Sequence, residues 1–375
     1  MVKELLENFN PLQYKMAYMA VTALFAFVVA MSSYPAIINV AVAKNLMDAS
    51  DDRSSHTGTV PNLGGIGIYL GIVIAMTITG ALLDTKSLLL ILGAITLLFF
   101  LGLKDDILIL SPRKKFTGQL LAALLLIIFT DTRILGFSGL LNISILPYWL
   151  SVSFTLFVYL LIINAFNLID GIDGLAGSLA LMATVAFAYV FYRYNDMSML
   201  VLAGATIGAL IPFLILNFSK TNKMFMGDTG SMILGFILAV FAVRFINSSE
   251  TLDSSLYADA SPVVALSFLF FPLLDTLRIF FIRLVIHKKS PFVADKNHIH
   301  HRFLEFGFSH AKVTAIIVFI NAALIRLTLY CHHLDIHWQL AVLLGSGTLL
   351  YSVYFVYRWL RASEGKPNFS VSKDR

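Results

Sequence analysis

The sequence is poor in charge and nearly devoid of cysteine. Asp, Glu, Lys and Arg make up only 13% of its 375 residues. That is about half the share found in soluble globular proteins, which excludes an ordinary water-soluble domain. A single cysteine, Cys331, excludes an internal disulfide framework and a Cys-rich zinc site. There is no repeat of fixed period and no low-complexity domain. A cleavable signal peptide is not expected either, because Met1–Gln13 carries Glu4 and Glu7 and the apolar run after it is too long.

What the chain does have is apolar sequence: 58% hydrophobic residues and a mean hydropathy of +0.83. A bilayer span needs about 20 mostly apolar residues. About eleven runs qualify on that reading: Tyr14–Ala43, Leu63–Leu83, Ser87–Leu103, Phe116–Thr130, Tyr148–Phe166, Leu175–Tyr192, Met199–Leu216, Ser231–Ile246, Pro262–Ile286, Val313–Tyr330 and Trp338–Leu360. The expected fold is therefore an all-α polytopic membrane protein of about eleven transmembrane helices. A single transmembrane catalytic domain is expected over residues 1–360, with a flexible cytoplasmic tail at 361–375.

The formal net charge is +5 with a pI near 9.1. Its distribution argues against a nucleic-acid partner, because the basic residues lie between the apolar runs. Lys104, Arg113, Lys114, Lys115, Lys220, Lys223, Lys288, Lys289, Lys296, Arg302 and Arg361 fall on one side when loops alternate, and far fewer fall on the other. Positive charge marks the cytoplasmic side. The N-terminus is thus expected outside and the C-terminus in the cytoplasm. Asn247–Ala260 reads as a polar external loop, and Arg244 also counts as external.

Four polar motifs stand where apolar runs end, and all are expected at the cytoplasmic face: Lys104-Asp105-Asp106, Asn167-Leu168-Ile169-Asp170-Gly171-Ile172-Asp173-Gly174, Gly227-Asp228-Thr229-Gly230-Ser231 and His298-Ile299-His300-His301-Arg302. Carboxylates and imidazoles are costly beside hydrocarbon and are functional there by default. Adjacent Asp105 and Asp106 raise each other's pKa unless a cation compensates, so they suit a metal ion or a general base. Asp170 and Asp173 sit three apart, with Gly171 and Gly174 permitting a tight re-entry that puts both on one face. Gly227–Ser231 opens a span, where free N–H groups favour a phosphate while Asp228 holds a divalent cation. A plain N-cap by Asp228 or Thr229 is the simpler alternative. Lys115 starts a span and could grip a lipid phosphate. Among the histidines a zinc site competes with phosphate binding, and the neighbouring Lys296 and Arg302 favour phosphate. Asp275 and Arg278, three apart within a span, fit a structural ion pair as well as catalysis. Arg53-Ser54-Ser55-His56-Thr57-Gly58-Thr59-Val60-Pro61 with Gly64-Gly65 could wrap a nucleotide phosphate.

Taken together and in order, these motifs resemble the polyprenyl-phosphate N-acetylhexosamine-1-phosphate transferases, the superfamily of MraY and WecA/TagO. The motifs cover about Asp48 to His310 and the span pattern extends to Leu360. The loop Ser290-Pro291-Phe292 to His298-Ile299-His300-His301-Arg302 resembles the WecA/TagO branch and argues against a muramoyl-pentapeptide substrate. The resemblance implies Mg²⁺-dependent (alternatively Mn²⁺-dependent) transfer of a sugar-1-phosphate from a UDP-N-acetylhexosamine to undecaprenyl phosphate, with UDP-GlcNAc as first choice of donor and UDP-GalNAc or UDP-MurNAc-pentapeptide as alternatives, releasing UMP in a bacterial inner (plasma) membrane. It further implies Asp228 as principal metal ligand with Asp106 beside it, and Asp105 as the base toward the lipid phosphate. Asp170 and Asp173 would flank the nucleotide and metal. Arg53, His56, Lys115, Asn167, Asn217, Phe225, His298, His300, His301 and Arg302 would bind substrate, with Asn217 and Phe225 near the uracil. Contacts with membrane lipids and a homodimer also follow from the likeness. The rival from another class is an ion-coupled transporter, whose acids would lie near the midplane rather than at one face. The CDP-alcohol phosphotransferases are excluded, because Asp173-Gly174 is followed by Leu175-Ala176-Gly177-Ser178.

Overall fold

A computed structural model describes residues 12–49, 59–81, 83, 86–108, 110–251, 257–286, 288, 298–304 and 307–363. All eleven apolar runs form helix. In order they are α1 (Lys15–Ala43), α2 (Gly64–Gly80), α3 (Lys86–Leu108), α4 (Pro112–Thr130), α5 (Tyr148–Ile169), α6 (Leu175–Tyr194), α7 (Met197–Asn217), α8 (Gly227–Thr251), the pair α9 (Ser261–Phe268) and α10 (Phe270–Phe281), α12 (His310–Tyr330) and α13 (Ile336–Ser363). The short α11 (Ile299–Leu304) precedes α12. Eight of these helices are long and apolar enough to cross a membrane among the described residues, or nine if α9 and α10 form one bent span. Of the remaining two, α2 is short at 17 residues, and α4 begins with the basic run Arg113-Lys114-Lys115. The chain is thus an all-α, multi-pass membrane protein.

Two local features depart from the sequence reading. Met47–Ala49 (β1) and Thr59–Pro61 (β2) pair as a small antiparallel ladder ahead of α2. Helix α8 runs on to Thr251, through the first part of the segment read as an external loop. Near that end of the helix the Nε of Arg244 donates to Asp196 at the N-terminus of α7, 2.7 Å away.

Helix α8 is the axis of the bundle. Within its apolar stretch 94% of residues are buried, and α2, α3, α5, α6 and α9 pack around it. A helix apolar on every side belongs in the interior. The outer helices show the reverse, with Leu24 on α1, Phe100 on α3, Ile128 and Phe129 on α4 and Phe319 on α12 all exposed. Such surface would aggregate in water and suits lipid. The hydroxyls of Thr22, Thr155, Thr184 and Thr206 are buried but donate to the carbonyl four residues earlier. These four hydroxyls are thus satisfied within their own helices, as a bilayer favours.

The break between α9 and α10 bends the path by 85° at Leu269. Freed backbone groups are costly away from water. Buried Asn321 of α12 meets that cost, its Oδ1 accepting from Phe271 N at 3.1 Å and its Nδ2 donating to Ser267 O at 3.5 Å. A side chain from a neighbouring helix therefore sets where the span breaks.

Candidate active site

Three of the four motifs, those of Asp105-Asp106, Asn167–Gly174 and Gly227–Ser231, converge through bonds between helices distant in sequence. Helix α3 must come very close to the N-terminus of α8, and Gly102 allows it. A Cβ there would stand 2.5 Å from Thr229 Cα and 2.7 Å from Thr229 N. Gly227, at φ +72°, makes the turn into α8; a Cβ at this position would meet Asn62 O at 2.7 Å and Asp106 Oδ2 at 2.8 Å. The segment after β2 docks beside the same turn. Gly64 N donates to Phe225 O, Gly65 N to Met226 O, and Phe225 N to Pro61 O, each at 2.9 Å. The Pro61 to Gly65 part of the glycine-rich motif thereby holds the Gly227-Asp228 turn in place. Arg53 and His56 lie outside the described residues.

Asp105 and Asp106 do different work. Asp106 caps α8 from outside that helix. Its Oδ1 accepts from Asp228 N at 2.7 Å, while Oδ2 accepts from Thr229 N at 3.1 Å and Thr229 Oγ1 at 2.6 Å. The cap expected from Asp228 or Thr229 is supplied by Asp106 instead, with its charge favourably placed at a helix N-terminus. These two amides accordingly do not offer the phosphate cradle that the motif suggests. Asp105 is buried, accepts from Leu110 N at 2.5 Å and pairs with the ammonium of Lys115. The same ammonium donates to Asp228 Oδ2 at 2.6 Å, and Asn167 Nδ2 donates to Asp228 Oδ1 at 2.6 Å and to Ser231 Oγ at 3.0 Å. Lys115 thus bridges Asp105 and Asp228.

Asp170 and Asp173 do not share one environment. Asp170 directly follows the last residue of α5, and burial pushes its carboxyl well above the ordinary carboxylate range, with the charges of Asp228, Asp106 and Asp173 adding to the effect. Asp170 therefore belongs to the electrostatic field of the Asp228 cluster. Burial also opposes ionisation of Asp173, but hydrogen bonds from His310 and Lys223, and their charges, outweigh it and hold this carboxyl below its usual value. Lys223 Nζ lies 2.7 Å and His310 Nδ1 3.1 Å from Asp173 Oδ2. Thr314 Oγ1 on α12 donates to Asp173 O at 2.8 Å. Lys223 also lies 5.3 Å from the centre of the Phe225 ring.

Asn217, at the end of α7, is buried and ties two site loops together. Its Oδ1 accepts from Gly174 N at 2.5 Å and its Nδ2 donates to Met224 O at 2.7 Å. Sequence reading missed Gln119, whose Oε1 accepts from Asn164 Nδ2 at 2.9 Å one helical turn before Asn167. It also missed His310, for which only its place at the start of an apolar run was a signal. In the histidine motif, His298 is buried with Nδ1 3.1 Å from Asp275 Oδ2. His300, His301 and Arg302 lie on α11; the side chains of His300 and His301 fall outside the described atoms.

Among the described residues no three His, Cys, Asp or Glu side chains form a metal cage. Magnesium does not require one, since it takes one or two carboxylates and completes its octahedron with water and substrate phosphates. Asp228 is only partly buried, at 29% side-chain exposure. The Lys115 ammonium already placed between it and Asp105 marks a spot that attracts a cation. The donor chemistry fits.

The chain is similar to proteins of known name. Residues 88–246, which include the Asp105, Asp170 and Asp228 motifs, match glycosyl transferase family 4. The undecaprenyl-phosphate alpha-N-acetylglucosaminyl 1-phosphate transferase of Escherichia coli (strain K12) is 30% identical over 336 residues, spanning 85% of this chain and 86% of that protein. The protein of the same name from Yersinia pestis is 29% identical over 349 residues, spanning 91% and 92%. Similarity over more than four fifths of both chains is more than a shared motif, and it places the chain in glycosyl transferase family 4, among the WecA/TagO-like polyprenyl-phosphate N-acetylhexosamine-1-phosphate transferases.

Proposed function

We propose that the protein transfers N-acetylglucosamine-1-phosphate from its UDP-sugar to undecaprenyl phosphate, at the cytoplasmic face of a bacterial plasma membrane. The observation that carries this reading is the Lys115 ammonium bridging Asp105 and Asp228, with Asp170 in the same field. Anionic oxygens and a cation between them at one end of a bundle suit a reaction between two phosphates. Acids strung through mid-span, as ion transport would need, are not what the motifs form. The relatives' names agree with the same substrates.

In the reaction an oxygen of the lipid phosphate attacks the β-phosphorus of the UDP-sugar. The bond from that phosphorus to the bridging oxygen breaks, UMP leaves with the bridging oxygen, and the sugar–phosphate bond is untouched. Phosphoryl transfer of this kind depends on positioning and charge neutralisation. Lys115 leaves its carboxylates for the phosphate oxygens, and Asp105, released from that pair, takes any proton left on the lipid phosphate. Asp228, oriented by Asn167, is the principal ligand for Mg²⁺, which when bound would neutralise diphosphate charge. Asp106 acts in this reading by capping α8 and fixing the direction of Asp228. The Asp173, Lys223 and Phe225 group would receive the nucleotide, and the His298–Arg302 segment the diphosphate or sugar.

The decisive experiment is incubation of purified protein with undecaprenyl phosphate, Mg²⁺ and a panel of UDP-sugars, scoring UMP release. UDP-GlcNAc should be the best donor. Release from none of the panel would overturn the function, and preference for UDP-GalNAc or UDP-MurNAc-pentapeptide would overturn the sugar.

A further inference from the structure

Asp275 is a carboxylate without a place in the scheme above, and its surroundings give it one. It lies on α10, the second half of the bent span, and its side chain is completely buried. A carboxylate so placed is expensive unless it is paired and hydrogen-bonded. Oδ2 lies 3.1 Å from His298 Nδ1, and Oδ1 accepts from Ile299 N at 2.9 Å and from Arg278 at 3.4 Å. Two of these contacts reach residues 23 and 24 positions further on, where the chain returns after leaving α10 to start α11. Closing an excursion of that length costs entropy whenever it is not held shut, and a buried charge-assisted pair is the means of holding it.

The held segment leads to the rest of the site. Helix α11 packs on α12, and α12 begins with His310, which pairs with Asp173, and carries Thr314, which bonds the Asp173 carbonyl. The position of α12 is set from the other side by Asn321 at the break between α9 and α10. The bent span thus governs both ends of one route: its break docks on α12, and its carboxylate pins the entry to α11.

We propose that Asp275 is a positioning residue that pins His298 and the first turn of α11, pre-organising the His298–Arg302 segment for the sugar-nucleotide. This rests on the proposed reaction for its substrate half. Pre-ordering a binding segment lowers the cost of capturing the ligand that the segment touches and leaves the other ligand alone. The signature is therefore a change confined to one substrate.

The test has two arms. The first is hydrogen exchange on the purified full-length protein without substrate. Asp275→Asn should lose protection at residues 299–304 by at least tenfold, while α8 and α9 keep theirs. His298→Ala should do the same from the loop side without altering the span. His298→Asn, whose amide nitrogen sits as far from the backbone as Nδ1, should restore most of the protection. Unchanged exchange at 299–304 in both Asp275→Asn and His298→Ala would overturn the clamp, whatever the activity. The second arm is steady-state kinetics. Asp275→Asn should raise KM for the UDP-sugar about tenfold, with kcat and the KM for undecaprenyl phosphate within about twofold of wild type. Equal loss toward both substrates, or a fall in kcat alone, would show a merely structural role and overturn the positioning assignment. A wild-type protein that releases no UMP from any donor would instead overturn the proposed reaction and the substrate half with it, leaving the exchange arm to decide the clamp.

Discussion

Replacing Asp106 separates a helix cap from a metal ligand, two roles that the sequence could not tell apart. Asp106→Ala removes the acceptors for Asp228 N, Thr229 N and Thr229 Oγ1. Losing an N-cap side chain costs about 0.5–2 kcal/mol. Leaving a buried donor without a partner costs about 1–3 kcal/mol. Thr229 is fully buried, so its amide has no ready replacement, whereas Asp106 and Asp228 are half-buried and water can reach Asp228 N in part. The expected loss is therefore about 2–4 kcal/mol, concentrated on the first turn of the most buried helix. In detergent this should appear as a drop in Tm on the order of 5 °C. Asp106→Asn keeps one acceptor oxygen but turns an amide nitrogen toward donors, and should lose about half as much. The assay is thermal unfolding of the purified protein in EDTA, where a residue that only binds metal contributes nothing. If Asp106→Ala unfolds at the wild-type temperature in EDTA yet loses a Mg²⁺-dependent rise in Tm, the capping argument is wrong and Asp106 is a ligand.

Further outcomes follow from the same geometry. Asp228→Asn gives up the ion pair with Lys115, so it should unfold somewhat below wild type in EDTA while still folding, and it should lose nearly all Mg²⁺-dependent UMP release, a loss of about 100-fold or more; near-wild-type release at saturating Mg²⁺ would refute its assignment. Asp105→Asn should lose most turnover at neutral pH and regain part of it as the lipid phosphate ionises unaided above its second pKa of about 6, whereas an unchanged pH profile would rule it out as the base. The lowered pKa of Asp173 contributes stability that is present above the ordinary carboxylate pKa and lost as pH falls through the lower folded value. Asp173→Asn should therefore be less stable than wild type at pH 7, by about 1–3 kcal/mol, and the two should converge below about pH 3; parallel acid-unfolding curves would contradict the pairing with Lys223 and His310. A cysteine at Ser363, in a chain with Cys331 replaced, should resist an impermeant thiol reagent in intact cells, and ready labelling would reverse the proposed orientation.

Much of the architecture is legible in the sequence because the bilayer makes it local. A span's length and apolarity are properties of one short stretch, so all eleven runs from Tyr14 to Leu360 appear as helices, and the four polar motifs appear at helix ends. The need for glycine at Gly227 and Gly174 is also local, since each takes a positive φ. What the residues at those ends do to one another is not local. Asp106 reaches α8 across 122 positions, Lys115 reaches Asp228 across 113, and His310 reaches Asp173 across 137. No periodicity or spacing records such pairings, and adjacent Asp105 and Asp106 diverge only because α3 presents one to Lys115 and the other to the first turn of α8. The break at Leu269 shows the same division. The run Pro262–Ile286 is long enough to tilt or break, but where it breaks depends on Asn321 supplying a partner for Phe271 N from α12. Burial makes an unpaired polar group costly, and only the packed bundle decides which distant side chain satisfies it.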